Sequence, residues 1–116
     1  MMPDIYLRNL ALKSKKILNM TGVFDVLVYG SYIKGKIEPK DIDIVILFNN
    51  IPLNERASVV NKFKELLKEE GKIFDVKSLN LDELFDGNFL ARESILVEGY
   101  SLLHNNPFSE YLGFKS

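Results

Sequence analysis

Residues 26–48 read VLVYGSYIKGKIEPKDIDIVILF, and this stretch decides the fold. Val26 to Tyr29 predict a strand, ended by Gly30-Ser31, where glycine lets the chain turn. Asp41 to Phe48 predict a second strand. Strand alternation puts Asp41 and Asp43 on one face and Ile42, Ile44 and Ile46 on the other. Aspartate is depleted in strands and costly to desolvate without a partner. Two aspartates opening one apolar strand therefore call for a cation. Residues two apart on a strand lie roughly 6–7 Å apart at Cα, so both carboxylates can converge on one or two divalent ions.

Outward from this stretch, Asp4 to Met20 predict a helix with Leu7, Leu10, Ala11, Ile17 and Leu18 near one face, stopped by Gly22. Its Lys13, Lys15 and Lys16 are expected on the solvated side. Val23 starts the first strand. After an Asn49–Pro52 turn, Leu53 to Glu70 predict a long amphipathic helix. Its apolar stripe is Leu53, Ala57, Val60, Phe63, Leu66 and Leu67, and Gly71 stops it. Lys72 to Ser78 predict a third strand with Asp75 in its middle. Leu81 to Phe85 read as a helical turn and Asn88 to Val97 as a helix ended by Gly99. Tyr100 to His104 read as a short edge strand. The last nine residues are expected to form a terminal helical turn or a tail. The order α-β-β-α-β-α-β predicts a single small α/β (α+β) domain over residues 1–116, a mixed β-sheet flanked by helices.

Composition narrows the function. The 116 residues are 47% apolar and 27% charged, ordinary for a globular protein. Net charge is −1, so no global basic field argues for nucleic acid. There is no cysteine, which excludes disulfides, thiolate metal sites and a cysteine nucleophile. A single histidine excludes a multi-histidine metal site within one chain. No long apolar run or signal-peptide pattern is present, and a cytoplasmic protein with no membrane contact is expected.

Asp41, Asp43 and Asp75 are the chemistry-bearing acids. If the second and third strands are neighbours, Asp75 faces the pair. Three carboxylates about one point can hold two Mg²⁺ ions about 3.5–4 Å apart, the arrangement of two-metal phosphoryl chemistry. Gly30 lets a phosphate approach the backbone, the Ser31 hydroxyl can donate to it, and Lys34 and Lys36 add positive charge. Taken singly, each residue has an ordinary reading: Asp41 as a turn-closing residue, Asp43 as a strand-end acid, Asp75 as an exposed edge-strand residue, Gly30 as a turn glycine. Tyr29 and Tyr32 read as packing residues, and His104 as a turn residue. Residues 30–36 also match the first part of a phosphate-binding P-loop, but Ile37 stands where that motif needs Ser or Thr, and Pro39 precludes the helix it requires.

The combination of Gly30-Ser31, nine intervening residues, Asp41-Ile42-Asp43 and a later strand Asp75 resembles the nucleotidyltransferase superfamily related to DNA polymerase β. The small size is similar to its minimal, MNT-type members. Three positions depart from the pattern: Ile33-Lys34-Gly35 stands where many relatives carry Ala-Arg-Gly, and Lys40 where many have Ser. Lysine replaces arginine's bidentate fork with a point charge. The resemblance implies that Asp41, Asp43 and Asp75 bind two Mg²⁺ ions and are catalytic. It also implies that Gly30, Ser31 and Lys34 bind the nucleotide, with ATP as substrate. It further implies AMP transfer to a hydroxyl, on a HEPN-type partner protein that this chain neutralises as an antitoxin. The alternative is a non-catalytic partner-binding module that retains the metal site. The sequence leaves homo-oligomerisation open.

Overall fold

Strands β1 (Val23–Tyr29) and β2 (Ile42–Phe48) pair antiparallel and form the centre of the sheet. The computed structural model describes residues 5–17, 19–20, 22–30, 42–71, 73–86, 92–104 and 106–111. Helix α1 (Ile5–Lys15) precedes β1; helix α2 (Leu53–Leu67) and a 3-10 turn (Lys68–Glu70) follow β2. Strand β3 (Phe74–Asn80), α3 (Leu81–Asp86), α4 (Arg92–Glu98), β4 (Tyr100–Ser101), β5 (Asn106–Pro107) and α5 (Phe108–Tyr111) complete the order. The five strands lie in the order β3-β2-β1-β4-β5. Among the described strands only β2 and β3 pair in parallel, and α2 provides the crossover such a pair needs. The mixed, helix-flanked α+β sheet is the expected fold class.

The pleat of β2 sorts its side chains onto two cores. Ile42, Ile44, Ile46 and Phe48 pack with Val26 and Val28 against α1 and α2 through Leu10, Val59, Phe63 and Leu67. Val45 and Leu47 face the other way and join Leu27, Tyr29 and Leu79 under Leu84, Ile95 and Phe108 of the C-terminal helices. Both faces are thus covered, which explains why residues 44–48 form an unbroken apolar run.

Several expected boundaries shift for visible reasons. Helix α1 ends at Lys15, and the chain tightens there, with the Lys16 and Ile17 N–H groups donating to the carbonyls of Lys13 and Ser14. Gly22 (φ +79°) lies against Ile51, where a β-carbon would meet Ile51 Cγ2 at 2.7 Å. The buried stripe of α2 is Arg56, Val59, Phe63 and Leu67. Leu53 is 67% exposed and Ala57 is also outside. The cause is at the N-terminus of α2, where Arg56 rather than an apolar residue turns inward and its Nη1 pairs with Glu83 at 3.0 Å. Lys13 is not merely solvated: its ammonium bridges to Glu69 and Glu70 at 3.0 and 3.3 Å and ties α1 to the end of α2. Strand β3 starts at Phe74 and extends to Asn80, while Ile73, expected within it, is exposed. Strand β4 is not an edge: it lies between β1 and β5. The terminal helical turn α5 is anchored by fully buried Phe108, so that residue belongs to the core.

Candidate active site

The parallel pairing of β2 with β3 places Asp43 and Asp75 directly side by side. Antiparallel pairing places Tyr29 beside Asp43 on the opposite flank. Paired residues share a face, so Tyr29, Asp43 and Asp75 form a row across three adjacent strands. Neighbouring strands lie about 4.8 Å apart, which lets both carboxylates reach one small ion. The row lies at the end of β1 and the start of β2 and β3. Farther along the same face, Val45, Leu47 and Leu79 are buried. Near the row the face opens, and the Asp75 side chain is 43% exposed.

Gly30 closes the row from the end of β1. Its φ is +81°, a left-handed conformation that disfavours any β-carbon. A β-carbon there would also stand 2.5 Å from Asp43 Oδ2. The glycine backbone therefore lies against the Asp43 carboxylate, leaving no room for a side chain between the turn and the acid.

Charge in the row is shared unequally. Burial pushes the Tyr29 phenol up to about 12, and the charges of Asp43 and Asp75 add to that effect. Tyr29 thus stays protonated and neutral beside two carboxylates, adding no third negative charge. Asp75 Oδ2 accepts from Lys77 Nζ in a charge-assisted contact. Lys77 lies two residues along β3 on the same face, a relation that strand alternation makes legible in the sequence once Asp75 is singled out. Sequence reasoning passed over it because lysines are common on strand surfaces.

One acid was also missed. Asp25 is fully buried on the same sheet face, and its Oδ1 accepts from Ser101 Oγ at 2.8 Å and from the Val26 N–H at 2.7 Å. Ser101 Oγ in turn accepts from the His104 N–H at 2.9 Å. Asp25 fastens β1 to the turn after β4. His104 takes part there through its backbone, consistent with the turn role expected of it.

Ser31, Lys34, Lys36, Lys40 and Asp41 lie outside the described residues, as does Tyr32. Of the expected constellation, the described part brings together Gly30, Asp43 and Asp75. Among the described residues no group of three or more His, Cys, Asp or Glu side chains is gathered for a metal ion. The two acids that do meet are hard oxygen donors, partly open to solvent, which fits Mg²⁺ or Mn²⁺ and not a soft metal. Among the described residues no helix is long and apolar enough to cross a membrane.

The family model for polymerase beta nucleotidyltransferases matches residues 13–100, more than half of the chain. The chain belongs to the polymerase beta nucleotidyltransferase family. The matched span contains Gly30, Asp43, Asp75 and Lys77. Among solved structures, a crystal structure of a mutant of the toxin–antitoxin pair MntA–HpeT is similar at a TM-score of 0.54. Its sequence is 12% identical, over 93% of this chain and 88% of that chain. At that identity the likeness supports the fold alone. A second mutant of the same pair is 13% identical over 89% of this chain and 83% of that chain, at a TM-score of 0.46. No curated protein matches the sequence.

Proposed function

We propose that this minimal nucleotidyltransferase transfers a nucleoside monophosphate, AMP from ATP, to a hydroxyl on a protein partner, with Asp41, Asp43 and Asp75 as its acids. The observation that carries the reading is the register of Asp43 with Asp75 beside the Gly30 turn. Asp43 and Asp75, joined by Asp41, would hold the divalent ions. When bound, those ions neutralise the triphosphate and polarise the reacting oxygens. In this reading the Gly30 backbone, the Ser31 hydroxyl and Lys34 would hold the phosphates. The acceptor oxygen forms a bond to the α-phosphorus as the bond from that phosphorus to the bridging oxygen of the leaving pyrophosphate breaks. Asp75 receives the acceptor proton. Because Asp75 is paired to Lys77, that ion pair opens before the carboxylate can do this work. Tyr29 remains neutral beside Asp43.

The antitoxin role and the HEPN-type partner are proposed from the family resemblance of the Gly30-Ser31 and Asp41-Ile42-Asp43 motifs; the fold is shared with a protein of the toxin–antitoxin pair MntA–HpeT. The reading is tested with α-labelled ATP, Mg²⁺ and the co-purified partner. Label is expected on the partner, and Asp43→Asn or Asp75→Asn should lower transfer by at least about a hundredfold. No transfer by the wild type, or undiminished transfer by both variants, would sink the reading. One observation favours a second reading: Lys77 already satisfies Asp75 without a metal, as in a module that only binds its partner. Neutralisation of the partner that survives Asp43→Asn would favour that reading.

A further inference from the structure

Asp43 and Asp75 lie side by side on one face and carry like charges. Such a pair repels unless a cation lies near it. Among the described residues, the cation on Asp75 is Lys77. Its backbone pairs with Val45, one same-face step farther along the sheet than the acids. The ammonium therefore reaches back along β3 to meet Asp75 Oδ2. Its side chain is 39% exposed. A flexible four-carbon stem that open to solvent is free to swing outward. The carboxylate it holds is the one a divalent ion at this site would share. Ammonium and divalent cation also repel each other at such separations, so they compete for the same carboxylate.

Resting on the metal reading of this site, we infer that Lys77 is a resident counter-ion of the third acid. It holds Asp75 in the metal-free protein, is displaced when a divalent ion enters, and lowers the affinity of the free protein for that ion. The displaced ammonium then finds a partner in an anionic triphosphate, which links metal loading to arrival of the nucleotide. Lys77 is a positioning residue: it acts through Asp75. The pair keeps the two acids from repelling in the empty protein and makes the site selective for metal that comes with substrate.

The test is titration of the full chain with Mn²⁺, followed by its paramagnetic signal, without nucleotide. Lys77→Met keeps the stem and removes the charge, and it should bind Mn²⁺ about three- to tenfold tighter than wild type. Lys77→Arg should retain the wild-type affinity. In an Asp75→Asn background, Lys77→Met should bring no further gain, because the carboxylate it releases is absent. With a non-hydrolysable ATP analogue present, the advantage of Lys77→Met should shrink or reverse. Equal or weaker Mn²⁺ binding by Lys77→Met, with wild type binding normally, overturns the inference and leaves the metal site standing. Absence of Mn²⁺ binding by both proteins overturns the metal reading and the inference together.

Discussion

Gly30 meets two demands that no other residue meets together. Its backbone adopts φ +81°, and its α-carbon faces the Asp43 carboxylate with no space for a methyl group. Gly30→Ala is expected to cost about 1–3 kcal/mol in urea unfolding and to weaken Mn²⁺ binding by pushing Asp43 aside. Tyr29 makes a different prediction. Its phenol ordinarily loses its proton near pH 10 but is pushed up to about 12 in the folded protein, first by burial and then by the two acids. The folded state thus holds that proton more tightly than the unfolded chain. The stabilisation is fully present below about pH 10 and is lost as pH rises through about 12. Tyr29→Phe should flatten this part of the alkaline decline in stability, measured by urea midpoints across that range. The two acids and the glycine are legible in the sequence because their residue types are unusual for a strand and its exit. Lys77 becomes legible only once Asp75 is singled out, since its importance comes from its neighbour and not from its type.

At the scale of elements, β3 matters because it carries Asp75 at its start and docks α3 at its end. Asn80 makes that joint. Its side chain accepts from the Ile51 N–H at 3.0 Å and donates to the Ile51 carbonyl at 3.1 Å, while its own N–H donates to Glu83 Oε1 at 2.8 Å. Glu83, three residues on, thereby occupies the position of a capping-box acid and also receives Arg56. The turn before α2 is thus clamped to the start of α3, and Asn50 at its tip adopts φ +56°. Asn80→Ala removes both side-chain bonds to Ile51 and should destabilise by about 1–3 kcal/mol, read as a lower urea midpoint at unchanged slope. Strand and helix types came through clearly in the periodicity of residues 23–29, 42–48 and 53–67. The rotation of α2 did not. Arg56 reads as an exposed residue by its type, and only the carboxylate of Glu83, 27 residues later, draws it inward.

For the whole molecule, the sheet order β3-β2-β1-β4-β5 separates two tasks. The β3-β2-β1 side assembles the acids. The β4-β5 side, with α4 and α5, closes the second core over the same sheet face. Phe108 is the anchor of that closure: it is fully buried, and its N–H donates to the Gly99 carbonyl at 2.8 Å. Phe108→Ala should cost about 3–5 kcal/mol in global stability, measured by urea unfolding. Since Phe108 packs in the apolar core and offers no polar side-chain group to the chemistry, transfer per folded molecule should change far less than with Asp43→Asn. Mixed results, with lost transfer at full stability, would place α5 closer to the chemistry than its packing indicates.

By itself the sequence determined the alternation of β2, the glycine exit from β1, the crossover helix and the identity of the acids. These follow from local rules: side chains alternate on a strand, glycine alone relaxes into the left-handed region, and a helical apolar stripe needs a sheet to cover. Only the tertiary structure decided that β2 and β3 are adjacent and parallel, with Asp43 opposite Asp75, and that Lys77 reaches back to hold the second of them. Register between strands separated by a helix depends on how two cores fill at once, a balance spread over the whole chain and written in no single stretch of it.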